Sequence, residues 1–103
     1  MSERIAALRR MLERNPGDHR IRFGLAAEYE KAGEWANVAD ELSGYLAAAD
    51  DEGNAWGRLG RALRELGRDD DARSAYRRGA DEARRHGHPS MAAEFEGILD
   101  DWD

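Results

Sequence analysis

Arginine is the residue type whose spacing most clearly points to chemistry in this sequence. Between residues 58 and 68, arginines recur every three or four positions, which places their side chains on one face of an α-helix. A guanidinium group binds a carboxylate through two parallel hydrogen bonds, so such a row suits acidic side chains or a terminal carboxylate. The alternative is a solvated face whose charges pair with glutamates. The row comprises Arg58, Arg61, Arg64 and Arg68, and the glutamates are Glu28, Glu30 and Glu65.

The remaining polar clusters indicate neither a metal centre nor a catalytic site. Acidic runs at 50–52 and 69–71 open predicted helices, where carboxylates cap free amide groups and complement the helix dipole, and they lack the alternating ligands of a calcium loop. His86 and His88 lie in a predicted turn without a cysteine or carboxylate in defined register, which favours a helix-end role over metal binding. His19 also lies at a helix end, and the chain has no cysteine. We therefore expect no enzyme activity, no metal and no cofactor.

Composition limits the partners and the location of the protein. The formal charge of -6 argues against general nucleic-acid binding, because neutralising phosphates requires a dominant basic face. Helical periodicity begins directly after Arg4, and no apolar stretch has the length of a signal sequence or a membrane span. We expect a cytoplasmic protein that binds neither membrane nor nucleic acid.

Helix stop signals divide the chain into six predicted helices. Prolines and glycines interrupt the helical periodicity near residues 16, 33, 53, 67 and 87, and Asp18 and Pro89 suit the first turn of a helix. Acidic residues at 100–103 oppose the dipole of the last helix, so we expect its final turn to fray. The predicted helices cover about residues 3–14, 19–32, 35–49, 54–66, 69–86 and 89–102.

Each predicted helix carries one apolar stripe for burial against its neighbours. The stripe of the first helix is Ile5, Leu8 and Leu12, and that of the second is Phe23 or Arg22 with Leu25, Ala26 and Tyr29. The stripe of the fifth helix is Ala72, Ala75, Tyr76, Gly79 and Ala80. The stripe of the sixth helix is Met91, Phe95, Ile98 and Trp102.

The middle of the chain repeats itself with a period of 34 residues. A fixed period of this length is typical of arrays of helical hairpins, in which each hairpin buries an apolar face against the next one. The matching positions are Leu25, Ala26, Tyr29, Gly33, Val38 and Leu42 in the first copy, and Leu59, Gly60, Leu63, Gly67, Ala72 and Tyr76 in the second.

The second copy resembles a tetratricopeptide repeat, a motif with tryptophan, leucine, glycine, alanine and aromatic residues at set places. Those places hold Trp56, Leu59, Gly60, Leu63, Gly67, Ala72, Tyr76 and Gly79. The first copy is similar but has Arg22 in the place of the tryptophan. The resemblance covers about residues 4–86 and implies one all-α domain over 1–103, a right-handed superhelix of antiparallel helical hairpins. Its expected parts are an N-terminal helix at 3–14, repeats at 19–52 and 53–86, and a capping helix at 89–102.

The resemblance also implies a function, because tetratricopeptide repeat proteins bind a peptide or a partner helix in a concave groove. We therefore expect a non-catalytic adaptor whose partner is a protein or peptide, with an acidic one favoured by the arginine row. Family members that bind heat-shock chaperones have lysine and asparagine in this groove. The corresponding residues here are Phe23, Ala27, Gly57 and Arg61, so the resemblance does not imply chaperone binding. The expected groove residues of the first repeat are Arg20, Phe23, Ala27, Glu30 and Lys31. Those of the second repeat are Asn54, Gly57, Arg61, Arg64 and Glu65. Arg58 is included as well because it belongs to the arginine row.

Self-association is the alternative function. A short array has much of its surface at its ends, so Leu99, Trp102 or the stripe of the first helix could be buried against a second copy. The expected oligomeric state is a monomer or a weak homodimer.

Overall fold

The computed structural model describes residues 2–102, which form six α-helices and contain no β-strand. The helix bounds agree with the predicted ones to within one residue, except that the last helix ends two residues earlier than expected. This confirms the predicted all-α architecture of helical hairpins. The helices are α1 (Glu3–Arg14), α2 (His19–Lys31), α3 (Trp35–Ala48), α4 (Asn54–Glu65), α5 (Asp69–Arg85) and α6 (Pro89–Asp100).

Local side-chain chemistry explains where several helices begin. The Asp18 carboxylate accepts a hydrogen bond from the Arg20 amide at 3.0 Å, and Asp51 Oδ2 accepts from the amides of Gly53 and Ala55 at 2.9 Å each. These contacts satisfy amide groups that have no partner inside the helix. Capping from the 50–52 run is therefore confirmed.

The acidic run at 69–71 behaves differently from the prediction. The residue that precedes α5 is Arg68, whose side chain makes no capping hydrogen bond, and the three aspartates lie inside the first helical turn. They are therefore placed to favour the helix dipole, but the expected capping by their side chains is wrong.

Gly33 and Gly67 end the two hairpins' first helices in the same way. Both have positive φ, at 71° and 76°, a conformation that glycine adopts without the steric penalty of a Cβ atom. After each glycine the next amide reaches back to a carbonyl five residues earlier, from Glu34 to Tyr29 and from Arg68 to Leu63. The repeated sequence therefore closes into two equivalent turns.

The residues up to Ala49 form one compact unit, in which α2 packs against both α1 and α3. Its buried residues are Ile5, Ile21, Leu25, Ala26, Tyr29, Val38, Ala39 and Leu42. Burial of Phe23 or Arg22 was expected at the start of α2, and that prediction is wrong because Ile21 is the buried residue. Ile21 lies one turn before Leu25 on the same helix face, whereas the other two side chains are only half-buried.

Arg22 and Phe23 instead pack along α3. The Arg22 guanidinium reaches Glu41 at 3.2 Å and lies over Gly44, where a Cβ atom would come within 3.1 Å of it. The Phe23 ring packs against the Tyr45 ring in a tilted arrangement, with ring centroids 5.0 Å apart. An arginine in the repeat position of tryptophan is therefore accommodated by a glycine on the facing helix.

The residues from Asp50 onward form a second compact unit of α4, α5 and α6. Gly60 lets α4 approach α5 closely, since a Cβ atom there would lie 2.8 Å from the Tyr76 ring. Buried Tyr76, Ala80 and Phe95 form the core cluster of this unit, and the predicted stripe of α6 packs on it. Coverage of α5 by α6 is therefore confirmed.

The length and the apolar character of the helices bear on membrane insertion. Within residues 2–102, no helix is both long enough and apolar enough to cross a membrane.

Candidate functional site

The exposed surface of α4 carries three of the four predicted arginines. Arg61 and Arg64 are exposed on successive turns and Arg58 is half-buried. The predicted place of Arg68 in this row is wrong, because α4 ends at Glu65 and Arg68 precedes α5. The guanidinium of Arg68 instead pairs with Asp71 at 2.8 Å.

The guanidinium group of Arg64 lies over an aromatic ring. Its Cζ atom is 4.0 Å from the centroid of the Trp102 ring, and the Cζ atom of Arg73 lies 4.9 Å from the same centroid. A guanidinium stacked on an aromatic face is stabilised by the ring's electron distribution, while its N–H donors point outward in its own plane. Arg64 therefore has an aromatic ring as a neighbour on one side.

Tyr76 lies below these arginines and is ionisable, so its charge state affects the site. Burial raises the pKa of the Tyr76 hydroxyl, and the positive charges of Arg64 and Arg61 oppose that rise. The hydroxyl is consequently neutral near neutral pH, and it adds no negative charge that would compete with an anionic ligand.

Gly57 does not line an open groove, contrary to the prediction. It is buried beneath Phe95 of α6, and a Cβ atom on Gly57 would come within 2.3 Å of the ring. Since residue 57 has no side chain, the phenyl ring rests directly on the backbone of α4. The capping helix thus occupies part of the surface that the repeat pattern assigns to a ligand.

The other second-repeat residues of the predicted groove, Asn54 and Glu65, are exposed at the two ends of α4. Leu66, which follows them, is a large apolar side chain with 39% exposure. The surface around the arginines is therefore polar along α4 and apolar just beyond its end.

The predicted groove residues of the first repeat lie in the first unit. Arg20 and Lys31 are exposed, and Phe23, Ala27 and Glu30 are half-buried. Lys31 Nζ lies 3.3 Å from Glu28, and Arg4 lies 3.1 Å from the same carboxylate. Glu28, one of the carboxylates considered as a partner of the α4 row, therefore pairs with cations of its own unit.

A second charged cluster, which was not predicted from the sequence, joins the start of the second unit to the end of α5. Arg85 Nη2 lies 2.6 Å from Glu82 and 3.3 Å from Asp50, and His86 Nε2 lies within 3.7 Å of both carboxylates. His88 makes a similar pair with Glu52. The spacing of Glu82 and His86 by one helical turn was the available signal, but the position of Asp50 depends on the fold.

This cluster has the geometry of a cation site that a side chain already fills. Ligand atoms of Asp50, Glu82 and His86 lie within 4.8 Å of one another, and the Arg85 guanidinium lies against all three residues. Hydrogen bonding to Arg85 lowers the pKa of Glu82, and the same bond raises the pKa of Arg85. The arrangement is therefore an ion-paired clamp that fastens residue 50 to α5.

An open depression of about 510 Å³ lies between α4 and α5 in this unit. Its floor is apolar and its rim carries charges of both signs, so it has no net preference for an anion. The floor is formed by Trp56, Leu59, Leu63 and Ala75, and the rim by Asp71, Ser74, Arg77, Arg78 and Asp81.

Comparison with known proteins gave one match. A family model described as "Tetratricopeptide repeat" matches residues 1–79, which is more than half of the chain. Neither the comparison with curated proteins nor that with solved structures found a match.

Proposed function

This chain belongs to the tetratricopeptide repeat family, and on that premise we propose that it is a non-catalytic module that binds an acidic segment of a partner protein. Members of the family generally mediate protein–protein interactions. The proposed ligand contacts are Arg58, Arg61 and Arg64 of α4 and Asn54 at its start, with Arg20, Phe23, Ala27, Glu30 and Lys31 as the corresponding residues of the first repeat.

One observation carries the proposal of an acidic ligand. Arg64 is exposed, and the partner seen for its guanidinium is the face of Trp102. Other arginines of this unit, such as Arg68 and Arg84, lie against carboxylates at 2.8 and 2.9 Å. Two exposed arginines on adjacent turns of one helix, in a protein of net charge -6, support the proposal that this face attracts anionic segments.

Binding of a labelled hexaglutamate peptide, followed by fluorescence anisotropy, tests this function. If the guanidinium holds a desolvated ligand carboxylate, Arg61→Ala should weaken binding about thirtyfold, equivalent to about 2 kcal/mol. Arg10→Ala, which removes an exposed arginine from α1, is the matched control and should leave the affinity unchanged. A hexaglutamine peptide should not bind.

The melting temperature separates ligand binding from internal ion pairing. An exposed arginine that only pairs with a neighbouring carboxylate contributes about 0–1 kcal/mol to stability and nothing to affinity. Intact peptide binding together with a lower melting temperature in Arg61→Ala would show that the row is structural.

Self-association is a second candidate, favoured by one exposed side chain. Met11 of α1 is 46% exposed, whereas Leu99 and Trp102, the other residues considered for a dimer, pack on the core of their own unit. A dimer through α1 predicts that Met11→Ser lowers the average mass measured by light scattering at high concentration. An unchanged monomer mass at all concentrations in the parent would exclude this candidate.

A further inference from the structure

Trp102, which follows the end of α6, is held at the proposed ligand site by residues of two helices. Arg64 of α4 and Arg73 of α5 both place their guanidinium groups against its ring, and the Tyr76 ring meets it edge-on at 6.0 Å and 73°. The indole is half-buried as a result. The Trp102 ring therefore lies against Arg64, a side chain that we assign to ligand binding.

We propose that the C-terminal segment, residues 99–102, is an internal competitor for the arginine surface, and that the partner segment carries an aromatic residue beside its acidic ones and displaces Trp102. This inference rests on the proposed function, because it concerns the same arginine surface.

The segment combines aromatic and acidic residues. Residues 100–103 read Asp-Asp-Trp-Asp, so an aromatic ring that stacks on guanidinium faces is flanked by carboxylates in the sequence. A guanidinium offers a face to an aromatic ring and an edge to a carboxylate, and both contacts can form on one arginine. A ligand with the same two kinds of group would make the same stacking contact and add the carboxylate contacts.

The end of α6 is weakly held, whereas its body is firmly anchored. Asp100 and Asp101 lie at the negative pole of the helix, which has no basic residue in its last turn, so the dipole disfavours this turn. Phe95, by contrast, is buried against Gly57 and Gly79. Opening of the segment after Ile98 therefore removes the packing of Leu99 and Trp102 on the core cluster but leaves Phe95 in place between α6 and its neighbours.

With a competitor of this kind, the apparent affinity equals the intrinsic affinity multiplied by the fraction of molecules in which the site is open. Two cation–π contacts of ordinary strength are enough to keep the closed form at about nine molecules in ten, so removing the indole should tighten ligand binding about tenfold. Trp102→Ala should show this gain, and Trp102→Phe, which keeps an aromatic ring, should show a smaller one.

A second variant keeps the test independent of any change in α6 itself. Arg73 contacts the indole but is not a proposed ligand contact, so Arg73→Ala should loosen the segment and also tighten binding. Arg64→Ala removes a ligand contact and should weaken binding in the parent and in the Trp102→Ala background alike.

The experiment uses the full chain and the peptide Glu-Asp-Asp-Trp-Asp-Glu, labelled for anisotropy, with a Glu-Asp-Asp-Ala-Asp-Glu control. The protein is labelled with 5-fluorotryptophan for ¹⁹F NMR. The resonance of Trp102 is assigned as the one that is missing from the spectrum of the labelled Trp102→Phe variant. We expect it to move toward the chemical shift of exposed fluorotryptophan as the peptide saturates the site. The tryptophan peptide should bind more tightly than the alanine control.

The outcomes distinguish this inference from the proposed function. If Arg64→Ala weakens binding but Trp102→Ala binds no more tightly than the parent, the arginines bind anions and the internal competitor is wrong. If no variant shows binding that depends on Arg64, both proposals fail. If the parent is a dimer that Trp102→Ala converts to a monomer, the segment occupies a second copy, and the internal assignment is overturned.

Discussion

At the scale of single residues, the glycines show most clearly that packing overrides helix propensity. A Cβ atom at Gly60 would lie 2.8 Å from the Tyr76 ring, whereas one at Gly97 in α6 would meet no atom within 4 Å. Gly97→Ala should therefore stabilise the protein by about 0.5–1 kcal/mol through helix propensity alone. Gly60→Ala should destabilise it by about 1–3 kcal/mol, because the ring and the helices must move apart.

Chemical denaturation of these two variants checks the hairpin register. Both are glycine-to-alanine changes inside helices, so propensity predicts the same sign for both. A stabilised Gly60→Ala variant would show that α4 and α5 do not cross at this residue.

The clamp at the end of α5 predicts an acid-dependent contribution to stability from Glu82. Its pKa lies below the ordinary value of 4.5 because Arg85 hydrogen-bonds to the carboxylate. A carboxyl group with a lower pKa in the folded state stabilises that state fully above pH 4.5, and this contribution is lost as the pH falls through the lowered value. Melting temperatures between pH 3 and 7 should therefore show a steeper acid decline for the parent than for Glu82→Gln. Parallel curves for the two proteins would contradict the clamp.

At the scale of the elements, Phe95 is the main anchor of the capping helix. It is buried at 7% exposure and its ring lies 5.8 Å from that of Tyr76. Phe95→Ala should therefore destabilise the protein by about 3–5 kcal/mol, the range for a buried aromatic residue. Leu66→Ala, at a position that is 39% exposed, should change the stability by less than about 0.5 kcal/mol.

Light scattering adds a second measurement for the same element. An open end of a helical repeat exposes apolar surface that promotes association. Phe95→Ala should therefore associate more readily on heating than Leu66→Ala. Equal stability and equal association of the two variants would show that α6 is a dispensable tail.

The sequence was sufficient for the elements because the signals that delimit them are local. Gly33, Gly67 and Pro89 act within a few residues of their own positions, so the helix bounds could be predicted from the chain alone. The packing of Phe95 on Gly57 could not, because it depends on the direction in which α6 returns over α4. Burial of Phe23 was predicted, but Ile21 is the buried residue. This difference is confined to one turn of α2, since both positions fit an apolar stripe on that helix.

At the scale of the whole molecule, net charge and local charge have opposite signs. The chain carries -6 overall, while α4 presents Arg61 and Arg64 on its exposed face. The arginine row was predictable from its spacing, but the stacking of Arg64 on Trp102 was not, because the two residues are far apart in the sequence. The proposed ligand chemistry therefore depends on a contact between residues that are far apart in the sequence.

Exposed charges that attract a ligand predict binding that depends on salt. Raising the ionic strength from about 0.01 to 0.15 M shortens the Debye length from about 30 to 8 Å, so long-range attraction of hexaglutamate should fall. We expect a lower association rate with a smaller change in the dissociation rate, measured by stopped-flow anisotropy. An association rate that is insensitive to salt would indicate that the peptide binds through apolar contacts.

Charge reversal at Arg64 tests the central claim most directly. The measurement is the dissociation constant of hexaglutamate and of hexalysine for the parent and for Arg64→Glu, each with its melting temperature. The account predicts that the parent binds hexaglutamate, that Arg64→Glu loses this binding and gains affinity for hexalysine, and that folding is retained. Unchanged hexaglutamate binding by a folded Arg64→Glu protein would contradict the assignment of the α4 arginines as the binding surface.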